Sequence, residues 1–148
     1  MAQNTEMYSQ SFEIIPPVNT QGMRKCKNFT FDIFFRAHNN RAAEEYVNGY
    51  QTQGIFALVF VPQGQNPSNF QAFRSAINQS ESVYEPNQNI IMAGTLEEFK
   101  TKRYRTRLAR NLNSGDSVYL CINLARSEYS NNSAWQVNCV LNYAVCYN

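Results

Sequence analysis

Few side chains in this chain of 148 residues are of the types and spacings that catalysis requires. The single histidine, His38, lies in a polar stretch and has no nucleophile or metal ligand at a characteristic spacing. Glu97 and Glu98 are adjacent, but neighbouring residues of a strand point to opposite faces and cannot form a facing acid–base pair. We therefore predict that the protein is not an enzyme. His38 is expected in a solvated loop, and Glu97 and Glu98 are expected to pair with the basic residues that follow them.

The four cysteines also lack a metal-binding pattern. No pair among Cys26, Cys121, Cys139 and Cys146 has the spacing of roughly two to four residues that is typical of a zinc site. Cys139 and Cys146 are seven residues apart, so on one extended strand their side chains would face opposite sides. We interpret all four as buried free thiols in a reducing compartment, and we expect no metal and no other cofactor.

The densest charge feature is a basic run over residues 100–110, which contains six of the 13 lysines and arginines. On an extended backbone Arg103, Arg105 and Arg107 share one face, at steps of about 7 Å. Three guanidinium groups in such a row suit a phosphate backbone or a row of carboxylates on a neighbouring subunit. An ordinary solvated strand would have the same sequence, and all three interpretations stay open at this level.

A second basic cluster, formed by Arg24, Lys25 and Lys27, precedes a segment rich in phenylalanine. We predict that it joins the arginine row as a candidate nucleic-acid contact, although a formal net charge of +2 does not by itself indicate nucleic-acid binding. Residues 1–10 have neither a basic start nor an apolar run, so we expect a flexible segment there and no signal peptide. No apolar stretch approaches the ~20 residues of a membrane helix.

Alternation of apolar and polar residues predicts that strands position these side chains. Such strands are predicted at Ser11–Ile15, Asn28–Phe35, Ile55–Val61, Asn89–Leu96, Lys100–Arg110, Ser117–Leu124 and Trp135–Tyr147. The Ile55–Val61 segment is apolar throughout, which indicates a strand buried on both faces. Helical spacing occurs only at residues 41–46 and 67–77. The expected fold is a single all-β domain over residues 1–148, an antiparallel sandwich or barrel with one or two short helices.

Four segments from Ile55 onward carry a resemblance by their order and spacing. They are Phe56–Gly64 (an apolar strand that ends in a Val-Pro-x-Gly turn), Val83–Gly94, the basic strand Arg103–Arg110, and Asn111–Leu120. From Ile55 onward the chain resembles the capsid proteins of circular, replication-initiator-encoding single-stranded DNA viruses, the circovirus-like group. The resemblance spans roughly half to two-thirds of the chain.

This resemblance implies a single jelly roll of two four-stranded sheets with Greek-key connections. It implies a coat protein that assembles with itself into an icosahedral (T=1) shell of about 60 copies around a circular single-stranded DNA genome. The partners would be other copies of the chain, single-stranded DNA on inward-facing basic residues, and a host-cell receptor, with no membrane. The location would be the virion, assembled inside the host cell. Members of the group usually begin with an arginine-rich arm for genome binding and nuclear import, whereas residues 1–18 contain no lysine or arginine.

Two other functions fit the same sequence. One is a β-sandwich module that binds a carbohydrate or another ligand without assembling. Such a module needs exposed aromatics beside Asn or Gln on one loop face, and residues 129–135 contain both. The other is a hydrolase on the same fold, which the absence of a nucleophile–base motif disfavours.

Overall fold

The structure is a computed structural model. It describes residues 8–19, 22–38, 53–67, 73–75, 82–84, 87–97, 100–124 and 134–147. The described residues form ten strands and no helix. In chain order the strands are β1 Tyr8–Ile15, β2 Arg24–His38, β3 Gln53–Val61, β4 Phe73–Ser75, β5 Ser82–Tyr84, β6 Ile90–Glu97, β7 Lys102–Thr106, β8 Arg110–Leu112, β9 Ser117–Leu124 and β10 Ala134–Tyr147.

The strands form two main sheets and a short ribbon, and every described pairing is antiparallel. Sheet 1 has the order β1-β9-β3-β6. Sheet 2 has the order β10-β2-β7, and β8 also pairs with β2. The ribbon consists of β4 and β5. Because most sheet neighbours are distant in sequence, the chain crosses repeatedly between the two main sheets.

The inner faces of the two main sheets enclose a common core. Phe29, Phe31 and Ile33 of β2 meet Phe56 and Leu58 of β3, and all five side chains are at most 2% exposed. The ring centroids of Phe31 and Phe56 lie 4.6 Å apart across the two sheets. Full burial of one such side chain contributes roughly 1.5–3 kcal/mol, so this apolar layer is the main force that holds the sheets together.

A second apolar cluster lies on the outer face of sheet 1. Ala57, Val59 and Val61 of β3 and Cys121 of β9 are at most 2% exposed there. They alternate with the core residues along β3, so both faces of this strand are buried. The prediction from the apolar run in this segment is therefore confirmed. Sheet 2 differs, because its outer face carries the polar and charged residues of β2 and β7, with the apolar Val140 of β10 exposed beside them.

The predicted helix over residues 67–77 is wrong where the structure describes it. Phe73–Ser75 forms β4, which pairs with Ser82–Tyr84 in β5. Pairing between the two segments supplies their backbone hydrogen bonds. The spacing of apolar residues within one segment cannot predict such a pairing. The other predicted helix, over residues 41–46, lies outside the described residues.

Two expectations about residues at strand ends are also wrong. Tyr8–Gln10 pair with β9, so these three residues belong to β1 and not to a flexible segment. His38 is the last residue of β2, where a loop was expected. In both places pairing with a distant strand makes the strand longer than the stretch of alternating apolar residues that predicts it.

Candidate nucleic-acid interface

The outer face of sheet 2 gathers basic residues from two separate parts of the chain. Alternation along β2 turns Lys25 and Lys27 outward, and alternation along β7 turns Arg103 and Arg105 outward. We call these four residues the basic face. Adjacent strands lie about 4.8 Å apart and alternate residues about 7 Å apart, so the four side chains share one continuous surface.

Asp32 of β2 is the one carboxylate among the described residues of this face. It lies directly opposite Arg103 in the antiparallel pairing of β2 with β7. The Arg103 guanidinium donates from Nε to Oδ1 over 2.6 Å and from Nη2 to Oδ2 over 3.1 Å, which is a bidentate contact. These hydrogen bonds lower the pKa of Asp32, and the same contact raises the pKa of Arg103. Four cations face one carboxylate, which leaves three positive charges in excess.

Arg105 and Arg107 are the exposed arginines of the basic run for which the described residues provide no carboxylate partner. Arg105 lies opposite Thr30 of β2 and belongs to the basic face. Arg107 follows the end of β7 and lies in the break between β7 and β8, so it does not continue the strand row that the sequence predicted. The break separates Arg107 from the regular alternation of the face.

Tyr104 fixes the position of β7 and therefore of both arginines beside it. Its side chain points inward between Arg103 and Arg105, and its ring centroid lies 4.8 Å from that of Phe56 in sheet 1. Its hydroxyl donates a hydrogen bond to the backbone oxygen of Thr95 in β6. Gly94 leaves the space for this ring, because a Cβ there would lie 2.5 Å from Tyr104 Cε1. The glycine thus allows sheets 1 and 2 to approach closely at the β6–β7 side.

The two lysines at the start of the basic run have an acidic partner, as the sequence predicted. Glu97 at the end of β6 contacts Lys100 Nζ at 2.6 Å and Lys102 Nζ at 3.4 Å. The hydrogen bonds from Lys100 and Lys102 lower the pKa of Glu97. Glu98 lies outside the described residues. Glu97 offsets one of these two charges, with Lys100 as the nearer partner, and neither lysine is part of the basic face.

Arg24 does not belong to the basic face, although the sequence placed it with Lys25 and Lys27. Its side chain points inward and is 5% exposed. Nη1 donates to the Pro16 carbonyl and Nη2 donates to the Asp116 carbonyl, both at 3.1 Å. Nε is buried and has no hydrogen-bond partner among the residues that the structure describes. A guanidinium held in this way cannot reach a phosphate backbone, so Arg24 is a structural residue that ties the β1–β2 connection to the β8–β9 turn.

The turn that receives Arg24 is organised by the carboxylate of Asp116. Oδ1 accepts the backbone N–H of Gln63 at 3.0 Å, and Oδ2 accepts that of Asn113 at 2.9 Å. Gly115, with φ of 86°, adopts the left-handed conformation that this turn requires, and its N–H donates to the Val18 carbonyl. The β1–β2 connection, the β3–β4 connection and the β8–β9 turn therefore meet at one end of the molecule.

The four cysteines divide into two classes, which corrects the expectation that all are buried. Cys26 and Cys121 are buried, whereas Cys139 and Cys146 on β10 are exposed, and all four are free. Cys139 lies opposite Ile33 and Cys146 opposite Lys25, so the two side chains face opposite sides of the strand as predicted. Exposure follows from the position of β10 at the border of sheet 2.

Within the described residues, the side chains of His, Cys, Asp and Glu form no group suited to hold a metal ion. No helix in this part of the chain is long and apolar enough to cross a membrane. Fold and surface together define an all-β protein with two antiparallel sheets around a common core and one cationic sheet face. The chain matches no protein-family model, and no curated protein matches it significantly.

Proposed function

We propose that this chain is a viral coat protein that assembles with itself into an icosahedral shell of about 60 copies around a circular single-stranded DNA genome. The observation that carries the proposal is the nested order in which the strands pair. The basic face of sheet 2 and the resemblance of the segments after Ile55 to circovirus-like capsid proteins support it further.

We infer a jelly roll from this nested pairing, because in that fold a long antiparallel ribbon is rolled into two sheets. When β7 and β8 count as one interrupted strand, the chain up to β9 has eight strands. The first pairs with the eighth, the second with the seventh, the third with the sixth and the fourth with the fifth. Rolling this ribbon brings β9 beside β3, as observed in sheet 1. The last strand, β10, then adds to sheet 2 beside β2.

The basic face supports contact with the genome, since residues 1–18 contain no lysine or arginine that could do so. Lys25, Lys27, Arg103 and Arg105 present charge at strand spacings that suit a phosphate backbone, with Arg107 in the adjoining loop. Repetition of this face by symmetry would line the interior of a shell with cationic surface. Repetition also makes each modest subunit contact sufficient, because a closed shell forms every contact many times.

The size of the purified protein tests self-assembly directly. About 60 copies of a 17.0 kDa chain would give a particle of ~1 MDa, measurable by light scattering and visible as uniform spheres by negative-stain microscopy. A species of one to three chains across salt and pH would instead favour a β-sandwich carbohydrate- or ligand-binding module. The loop face for that alternative, at residues 129–133, lies outside the described residues.

Salt dependence of single-stranded DNA binding tests the basic face. Arg105→Gln removes an exposed cation and should weaken binding, whereas Asp32→Asn frees Arg103 and should tighten it. Each added or removed phosphate contact should change the slope of log K against log salt by about 0.7. Lys100→Gln is the matched control, because Lys100 is already compensated by Glu97. Equal slopes for all four proteins, the wild type included, would contradict DNA binding by this face.

A further inference from the structure

Strand β10 lacks the features that commonly protect the edge of a β-sheet. Its 14 residues include no charged residue, proline or glycine. Among the strands that the structure describes, it pairs with β2 alone. Natural edge strands are usually short, charged, interrupted by proline, or bent by a bulge. The pairing of β10 with β2 contains a β-bulge. Its extra residue lies on β2, near Asn28 with φ of 57°, so β10 itself is regular.

Apolar side chains are exposed on both faces of this edge. Val140 on the outer face is 57% exposed, and Tyr143 and Tyr147 on the inner face are 39% and 78% exposed. Phe12 of β1, at the edge of sheet 1, is 40% exposed. β1 and β10 border the same side of the molecule, since the Tyr143 hydroxyl donates to the Ile14 carbonyl. Four of the six large apolar side chains exposed in the described residues thus lie at one border.

The charges of the described edges indicate which partner would fit. In the two main sheets the other strands at an edge each carry charge: Glu13 in β1, Glu97 in β6, and arginine in β7 and β8. An acidic or basic peptide would find no complementary charge on β10. A second copy of β10 fits, because antiparallel pairing with itself places no like charges opposite each other.

We propose that β10 pairs with β10 of a second copy across a two-fold axis, so that sheet 2 continues through both chains. The inference rests on the proposed function, because a closed icosahedral shell contains two-fold contacts. Side chains alternate between faces, so the register must pair outward residues with outward residues. The register centred on Val140 meets this condition, pairs residues 134–146, and sets Asn138 opposite Asn142 of the second copy.

The continuous sheet would join the two basic faces on one surface. The order β7-β2-β10 is followed by the same three strands in reverse. The two rows of Arg103 and Arg105 would then lie five strand spacings apart, or about 24 Å. Between them lies the uncharged seam of the two β10 strands. The dimer would therefore present a cationic surface twice as wide as that of one chain.

Cysteine cross-linking tests the register. Directly opposite residues of an antiparallel pair have Cα atoms about 4.5–5.5 Å apart, within disulfide range. In a background of Cys139→Ser and Cys146→Ser, Val140→Cys should form a disulfide-linked dimer under mild oxidation. Leu108→Cys is the matched control, because Leu108 is 47% exposed but lies beyond β7, away from β10. We expect at least about tenfold more cross-linked dimer from Val140→Cys than from this control.

A charge variant provides a second measurement. Val140→Lys should place two lysines face to face and reduce the dimer, whereas Leu108→Lys adds the same charge and should leave it intact. Equal cross-linking of the two cysteine variants, with wild-type shells still forming, would overturn the β10 contact and leave the coat function standing. A Val140→Cys dimer from a protein that never forms shells would uphold the contact and refute the coat function.

Discussion

Substitution of Gly94 by alanine tests whether the seat of Tyr104 determines the position of β7. The added Cβ would lie 2.5 and 2.6 Å from Cε1 and Cζ of Tyr104 and 2.8 Å from Cε1 of Phe56. Ordinary carbon contacts are about 3.5–4.0 Å, so the tyrosine ring must move by about 1 Å. It cannot do so freely, since its hydroxyl is bound to the Thr95 carbonyl and its ring packs on Phe56. Overpacking of this kind costs about 2 kcal/mol.

Urea unfolding followed by tryptophan or tyrosine fluorescence measures this cost. With a slope of about 2 kcal/mol per molar urea, the midpoint should fall by about 1 M. The matched control is the same substitution in a Tyr104→Leu background, where the two contacts with the tyrosine ring are gone and only the contact with Phe56 remains. Gly94→Ala should then cost clearly less, which would appear as a coupling energy between the two positions. An unchanged midpoint, or equal costs in both backgrounds, would refute the proposed close packing.

Three further predictions follow from the described contacts. Asp116→Ala should lower the free energy of unfolding by about 3 kcal/mol, because two backbone N–H groups lose their acceptor. Asp116→Asn should lower it less, since the amide keeps one acceptor oxygen. Equal urea midpoints for the two variants would contradict this prediction. The pKa values of Asp32 and Glu97 are lowered by folding, so the unfolded chain binds more protons in acid and stability should fall as the pH drops below about 4.5. Urea midpoints between pH 7 and 3 measure the loss, and Asp32→Asn should reduce it. Under native conditions a thiol reagent should modify only the two exposed cysteines, Cys139 and Cys146. Cys139 should react more slowly, because partial burial of its thiol raises its pKa. Reaction of all four cysteines would refute the assigned exposures.

Strands with regular alternation could be predicted from the sequence with nearly correct boundaries. Ser117–Leu124 was predicted at the bounds that β9 has, and the predicted Trp135–Tyr147 misses only the first residue of β10. β9 packs Val118, Leu120 and Ile122 against the core at every second position, and the β10 residues packed against the core, Val137, Leu141 and Val145, all lie on one alternating face. By contrast, Phe73–Ser75 was predicted as helix, because its pairing with β5 leaves no periodic trace in three residues.

The composition of the basic face could be predicted only in part. The sequence placed Arg103 and Arg105 on one face, which the pairing with β2 confirms. It missed that Asp32 lies opposite Arg103, because that register joins residues 71 positions apart. The opposite charges and matching alternation of the two strands were available signals. Nothing local marked Arg24 as buried, since its hydrogen-bond acceptors are backbone carbonyls of two distant connections.

The contrast between the two sheets indicates where self-assembly would occur. Sheet 1 is buried on both faces along β3. This strand therefore has no large exposed apolar side chain that could contact a second chain. In sheet 2 no other described strand covers the outer face or pairs with the free edge of β10. The outer face is cationic, whereas the β10 edge is uncharged and exposes apolar side chains. A polyanion suits the first surface, and a second copy of the strand suits the other. The two surfaces can therefore be tested separately: Arg105→Gln should change DNA binding without changing the Val140→Cys cross-link. Val140→Lys would not separate them, because Val140 lies opposite Asp32 and the added lysine would join the basic face.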